Sequence, residues 1–195
     1  MVREQDYVSI HTHTDGSHND GIISCDKLCE KASLLGQRAV ALTDHNSLAA
    51  FPRFITAANK HDIKPILGSE FYFVKNAQQS IQTKDNERFH LVVIAKNDQG
   101  LQNLIMLHNQ SWTKNYFRMH PRSVERGLLD VELLSRYSEG LIITTACYYG
   151  GVPQYLFTGA TDNALSLASE LKDLFGEDLY FEVADHFIPD ETKAF

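Results

Sequence analysis

Short apolar runs recur along the chain, and most of them end in polar or turn-forming residues. Tyr7-Val8-Ser9-Ile10 reads as an extended segment leading into His11-Thr12-His13. Leu28, Ala32 and Leu35 recur at helical spacing, with Ser24 as N-cap and Gly36 as stop, so residues 25–35 are predicted helical. Residues 38–42 form a short buried strand, and a helix is expected over 47–60, capped by Asp44 or Asn46. A second run, 64–68, passes through Ser69-Glu70 into the apolar residues 71–74. Residues 75–88 are polar without periodicity and read as a surface loop. Residues 89–95 are a strand, and 98–111 a helix through Leu101, Leu104, Ile105 and His108. An aromatic, mildly basic loop spans 112–126, followed by a short helix at 131–137 and a strand at 140–146. Helices at 152–157 and 160–175 and a strand at 179–183 complete the pattern. Strands alternating with helices predict an α/β fold, either a barrel or a doubly wound sheet.

Composition narrows the class. The chain has 195 residues, 43% of them hydrophobic and 22% charged, ordinary values for one globular domain. No apolar run reaches 18 residues, so no membrane span is expected, and the polar first six residues lack a signal-peptide core. Three cysteines, Cys25, Cys29 and Cys147, are too few for a disulfide framework and fit a reducing compartment. The expected location is the cytoplasm. A net charge of −7 gives little purchase on a nucleic acid backbone without metal ions, a local basic patch or other domains.

The chemistry-bearing residues gather just after strands. His11 and His13 alternate, so on an extended backbone they project to one side, and Asp15, His18 and Asp20 follow on a glycine-containing loop. Nine histidines in 195 residues give about 0.4 His-x-His pairs by chance, so the pair needs context. Context comes from His45 past one strand and Glu70, a lone acid among apolar residues that is costly to bury unless paired or ligated. Asp44 is open to two readings, helix cap or ligand. His90, near a strand start, reads by itself as a core or surface histidine. Cys147 ends a strand, where a thiol is either a soft metal ligand or a buried inert group. Cys25 and Cys29, four apart on a helix, favour core packing over a metal pair. Lys114, Arg118, His120, Arg122 and Arg126 with neighbouring aromatics can contact nucleic acid, although packing on the domain exterior is favoured. In a parallel barrel the strand ends converge, which would bring His11, His13, Asp20, His45, Glu70 and Cys147 together.

Several segments carry a family resemblance: His11-Thr12-His13 with Asp20-Gly21, Ala41-Leu42-Thr43-Asp44-His45, and Ile63-Lys64-Pro65-Ile66-Leu67-Gly68-Ser69-Glu70. Phe89-His90-Leu91, the strand ending at Cys147, and Tyr180-Phe181-Glu182 with Asp185-His186 add to it. The chain resembles the polymerase and histidinol phosphatase (PHP) domain, in the branch found at the N-terminus of bacterial DNA polymerase III alpha subunits. The resemblance implies a distorted (β/α)7 barrel and as many as three divalent metals, zinc, manganese or iron. It implies His11, His13, Asp20, His45, Glu70, His90 and Cys147 as ligands, with His45 and Glu70 also catalytic. The family's closing Asp-x-His pair has no counterpart here. The expectation is a single PHP domain over 1–195, incomplete at its C-terminus. The implied activity is metal-dependent phosphoester hydrolysis of the 3′–5′ exonuclease type. The implied partners are the rest of a polymerase III alpha subunit, a DNA 3′ end or other phosphoester, and a proofreading nuclease subunit. Two other readings stand beside it: a non-catalytic docking domain, and a free-standing small-molecule phosphoesterase.

Overall fold

In the computed structural model, which describes residues 7–17, 20–83, 87–117 and 125–183, the predicted alternation of strands and helices is present. The fold is mixed α/β. Contacts divide the chain into two compact units, Met1–Glu70 and Phe71–Phe195.

In the first unit, the extended segment before His11 lies beside strand β1 (Ala39–Leu42), with a parallel bridge from Ser9 to Val40. Ala41 N–H donates to Ser9 O at 2.8 Å, and Thr43 N–H to Thr12 O at 2.9 Å. The Gln37 side chain locks the register by accepting from Ser9 N–H and donating to Ser9 Oγ. All four β1 residues are buried, as expected of a strand covered on both faces. β1 runs parallel to the first half of β2 (Lys64–Phe73), pairing Ala39 with Lys64 and Leu42 with Leu67. The same register continues to a bridge between His45 and Glu70.

Helix α1 (Cys25–Leu34) begins where Ser24 Oγ accepts from Lys27 N–H and ends before Gly36, whose φ is +72°. Cys25, Cys29 and Ala32 form its buried face. Helix α2 (Phe51–Lys60) packs on α1 and starts later than the sequence predicts. Its N-cap is Ala50, with no side-chain cap. Neither Asp44 nor Asn46 caps it, because Asp44 is engaged elsewhere and Asn46 adopts a left-handed φ of +47°.

In the second unit the strand order is β4-β5-β2-β3-β6-β7. The end of β2 pairs in parallel with β5 (Arg126–Leu129), which pairs antiparallel with β4 (Tyr116–Phe117). β3 (Phe89–Ala95) pairs antiparallel with β6 (Leu141–Thr144), and β6 in parallel with β7 (Leu179–Tyr180). Phe71, Phe73, Val92, Val93, Leu104, Leu107, Leu134 and Ile143 are among its buried side chains. The polar stretch 75–88 is not all loop, since it contains helix α3 (Ala77–Thr83). One tertiary and one local contact start that helix: Asp130 Oδ2 accepts from Ala77 N–H at 3.0 Å, and Asn76 Oδ1 from Gln79 N–H at 2.8 Å. Asp130 also caps α5 (Val131–Arg136), and Asn97 caps α4 (Asp98–Thr113). Helices α6 (Gly151–Phe157) and α7 (Thr161–Phe175) pack together. No helix among the described residues is long and apolar enough to cross a membrane.

Candidate metal centre

Five of the residues singled out from the sequence meet in the first unit. The His-Thr-His-Thr segment follows the period of an extended chain. His11 and His13 turn one way. Thr12 and Thr14 turn the other, Thr12 onto the Ala41 carbonyl and Thr14 onto Asp44. One strand over, the parallel register sets His45 beside Glu70. Asn46 N–H donates to Glu70 O at 2.8 Å, and Glu70 N–H is shared between the Thr43 and Asp44 carbonyls. Asp20 returns on the loop after His13.

Glu70 is 1% exposed and sits among three imidazoles. His11 Nε2 lies 3.3 Å from Oε1, His13 Nε2 3.2 Å from Oε2, and His45 Nδ1 3.0 Å from Oε2. Glu70 is thus buried with imidazole partners, as a lone acid among apolar residues requires. On the solvent side Asp20 Oδ2 lies 3.6 Å from His13 Nδ1 and 3.3 Å from His45 Nε2. The His13 and His45 rings stack, with centroids 4.5 Å apart and 16° between planes. Ser17 Oγ accepts from His45 N–H at 3.0 Å and lies 3.5 Å from His13 Nδ1.

This geometry suits a cation. A neutral imidazole carries one N–H and one lone pair. His13 and His45 each point both ring nitrogens at a carboxylate oxygen, one at Glu70 and one at Asp20. In the neutral form each ring therefore sets a lone pair against an anionic oxygen. Protonation or bound metal relieves that repulsion. Donor atoms of His11, His13 and Glu70 lie within 4.8 Å of one another, as do those of His13, Asp20 and His45. Mixed imidazole and carboxylate donors suit zinc, manganese and iron, so these residues fit the divalent metals expected.

His90 and Cys147 lie in the second unit. Cys147 Sγ is 3.8 Å from His90 Nδ1, and both are half-buried. Ala146, at φ +59°, turns the chain sharply after β6, and Gly150 N–H closes the turn on Cys147 O at 2.8 Å. His90 is held at its backbone by the Tyr149 carbonyl, at 2.9 Å. Cys25 and Cys29 are core residues, as expected, and burial pushes the Cys29 thiol up to about 11. Trp112 packs near His108 and Tyr116, and the Arg126 guanidinium covers the Tyr72 ring at 4.7 Å. These contacts fit the packing role for the aromatic segment. His18, Arg118, His120, Arg122, Asp185 and His186 lie outside the described residues.

Sequence reading passed over Thr14 and Ser17. Their signal was the alternation itself: the residues between site histidines must face something, and a buried threonine or serine there reports a polar partner behind the site.

Residues 9–186 match the family model described as the PHP domain. DNA polymerase III subunit alpha of Aquifex aeolicus is 36% identical over 197 residues, covering 97% of this chain and 16% of that protein. The same subunit of Treponema pallidum is 35% identical over 191 residues, covering 96% of this chain and 16% of that protein. That of Helicobacter pylori (strain 26695) is 31% identical over 201 residues, covering 98% and 16%. The chain thus spans 16% of the length of each of these relatives. A crystal structure of a protein from Bifidobacterium adolescentis aligns at 13% identity over 70% of this chain and 65% of that one. Its TM-score against this chain is 0.46.

Proposed function

This chain belongs to the PHP domain family, and from that premise we propose that its first unit is a divalent-metal site for phosphoester hydrolysis, working as part of a DNA polymerase III alpha subunit. The observation that carries the proposal is the double facing of His13 and His45, each ring between Glu70 and Asp20. In the neutral form two imidazole lone pairs, one on each ring, face carboxylate oxygens here, and positive charge between them relieves both.

His11, His13, Asp20, His45 and Glu70 would hold the metals. His90 and Cys147 are the candidate ligands of the second unit, a neutral imidazole beside a thiol that ligates once deprotonated. Bound zinc, manganese or iron would supply Lewis-acid stabilisation of a phosphoryl oxygen and a nucleophile competent at neutral pH. Glu70, buried and anionic, orients the three imidazoles and fixes where positive charge is favoured. Asp20, 43% exposed, closes the solvent side, where a phosphoester would enter. His45 or another imidazole of the cluster would orient that substrate or pass a proton to its leaving oxygen.

The proposed substrate is a DNA 3′ end, cleaved in the 3′–5′ exonuclease direction, because the relatives are DNA polymerase III alpha subunits. The proposed partners are the remainder of such a subunit and a proofreading nuclease subunit, in the cytoplasm. We treat residues 1–195 as one functional PHP domain.

The test joins elemental analysis of the purified chain with hydrolysis of a chromogenic phosphoester and of a 3′-labelled oligonucleotide, with manganese or zinc added. Bound metal, together with activity lost in His13→Ala, is the expected result. Absence of both metal and hydrolysis overturns the enzymatic reading and leaves a docking domain of the polymerase.

A further inference from the structure

Asp44 is neither a helix cap nor, by its contacts, a metal ligand. It is fully buried. Oδ1 accepts from Thr14 N–H at 2.6 Å, and Oδ2 from Thr14 Oγ1 at 2.8 Å. The Arg53 guanidinium, which flanks Gly16 together with Asp44 Oδ2, forms its ion pair with Asp15 at 2.8 Å and none with Asp44. Its carbonyl accepts from Ser69 Oγ at 2.8 Å and shares the Glu70 N–H. A Cβ on Gly16 would run into Oδ2, so the loop carries glycine where it crosses this carboxylate.

Burying an ionised carboxylate with only neutral donors is costly. With Arg53 paired to Asp15, the arrangement makes sense if further countercharge lies on the other side of the backbone that Asp44 grips. Thr14 follows His13, and Asp44 precedes His45. Ser69, which donates to the Asp44 carbonyl, precedes Glu70. One buried side chain and its own carbonyl therefore tie together the three chain segments that present His13, His45 and Glu70.

We propose that Asp44 is the positioning residue of the metal centre, holding the His13, His45 and Glu70 segments in register and supplying negative charge behind them that favours a bound cation. This inference rests on reading the cluster as a metal site. Asp44 acts through Thr14 and the backbone, so its removal weakens metal binding while leaving every ligand in place. Partners one layer out from a metal typically contribute tenfold or more to its affinity.

The test is manganese(II) titration of the purified chain by calorimetry, with the melting temperature of the metal-free protein measured in parallel. Asp44→Asn keeps an acceptor for the Thr14 N–H but removes the charge. The expected result is manganese binding at least about tenfold weaker, with the metal-free melting temperature within about 3 °C of the parent, a stability change under roughly 1 kcal/mol. A residue of purely structural worth would do the reverse, lowering the metal-free melting temperature and leaving affinity unchanged, and that result overturns the proposal. Equal affinity in parent and Asp44→Asn also overturns it while sparing the metal site, whereas no manganese binding by the parent removes both. If Asp44→Asn does not fold, the Thr14 variants decide. Weaker binding in Thr14→Val with recovery in Thr14→Ser supports the proposal, and parent-like binding in both overturns it.

Discussion

Glu70 shows how much one side chain's surroundings decide. A carboxylate with 1% exposure is tolerated because three imidazoles surround it and the β1–β2 register places it beside His45. Glu70→Gln should abolish manganese binding as read by calorimetry, since the amide keeps the shape but loses the charge that positive ions need. Cys29 yields a prediction of a different kind. Burial raises its thiol from an ordinary 9.0 to about 11, with Cys25 and Asp26 adding to the effect. The unfolded chain ionises this thiol first, so it binds fewer protons than the native state in that window, and native stability must fall as pH rises from about 9 to 11. Urea midpoints across that range should drop in the parent and drop less steeply in Cys29→Ala, whose own cavity cost is the same at every pH, the remaining slope coming from groups such as Cys25, also raised by burial.

At the scale of elements, caps and close approaches explain where helices and strands stop. Ser24→Ala removes the α1 cap and should cost about 1 kcal/mol by urea denaturation. Asp130→Ala should cost more, about 2–3 kcal/mol, because one buried carboxylate accepts from both Leu133 and Ala77 N–H and each donor would lose its partner. Gly140 has a φ of +71°, and a Cβ there would meet Asn97 Oδ1, the atom that caps α4. Most of these elements were legible because apolar spacing and cap residues are local signals. Helix α3 was not, since its seven residues carry little apolar periodicity and its N-terminus is satisfied in part from Asp130, more than fifty positions away. The late start of α2 was missed for a related reason. Asp44 looked like a cap until Thr14, thirty residues earlier, claimed its carboxylate.

For the whole molecule, ligand linkage supplies the check. A metal that binds only the native state raises the melting temperature with concentration. Added manganese should therefore raise the melting temperature of the parent, chelator should reverse it, and His13→Ala should show little response. At the proposed level of function, the same variant should lose hydrolysis of a 3′-labelled strand. Both results bear on the domain alone, because the chain spans 16% of the length of its DNA polymerase III relatives.

The α/β class, the family and most of the order of strands and helices follow from the chain read as text, while α3, β4 and β5 lie in or beside stretches read as loop. Periodicity, capping residues and the His-Thr-His, Thr-Asp-His and Gly-Ser-Glu segments are short-range patterns that survive without coordinates. Which residues meet is a different matter. His11, His13, Asp20, His45 and Glu70 come together only because parallel register carries β1 and β2 side by side past Leu42 and Leu67. Asp44 changed from candidate cap or ligand to buried brace through one contact across thirty positions. Side-chain direction, burial and the placing of two imidazoles between the same two carboxylates depend on distances that sequence spacing does not encode, and those are what the tertiary structure decided.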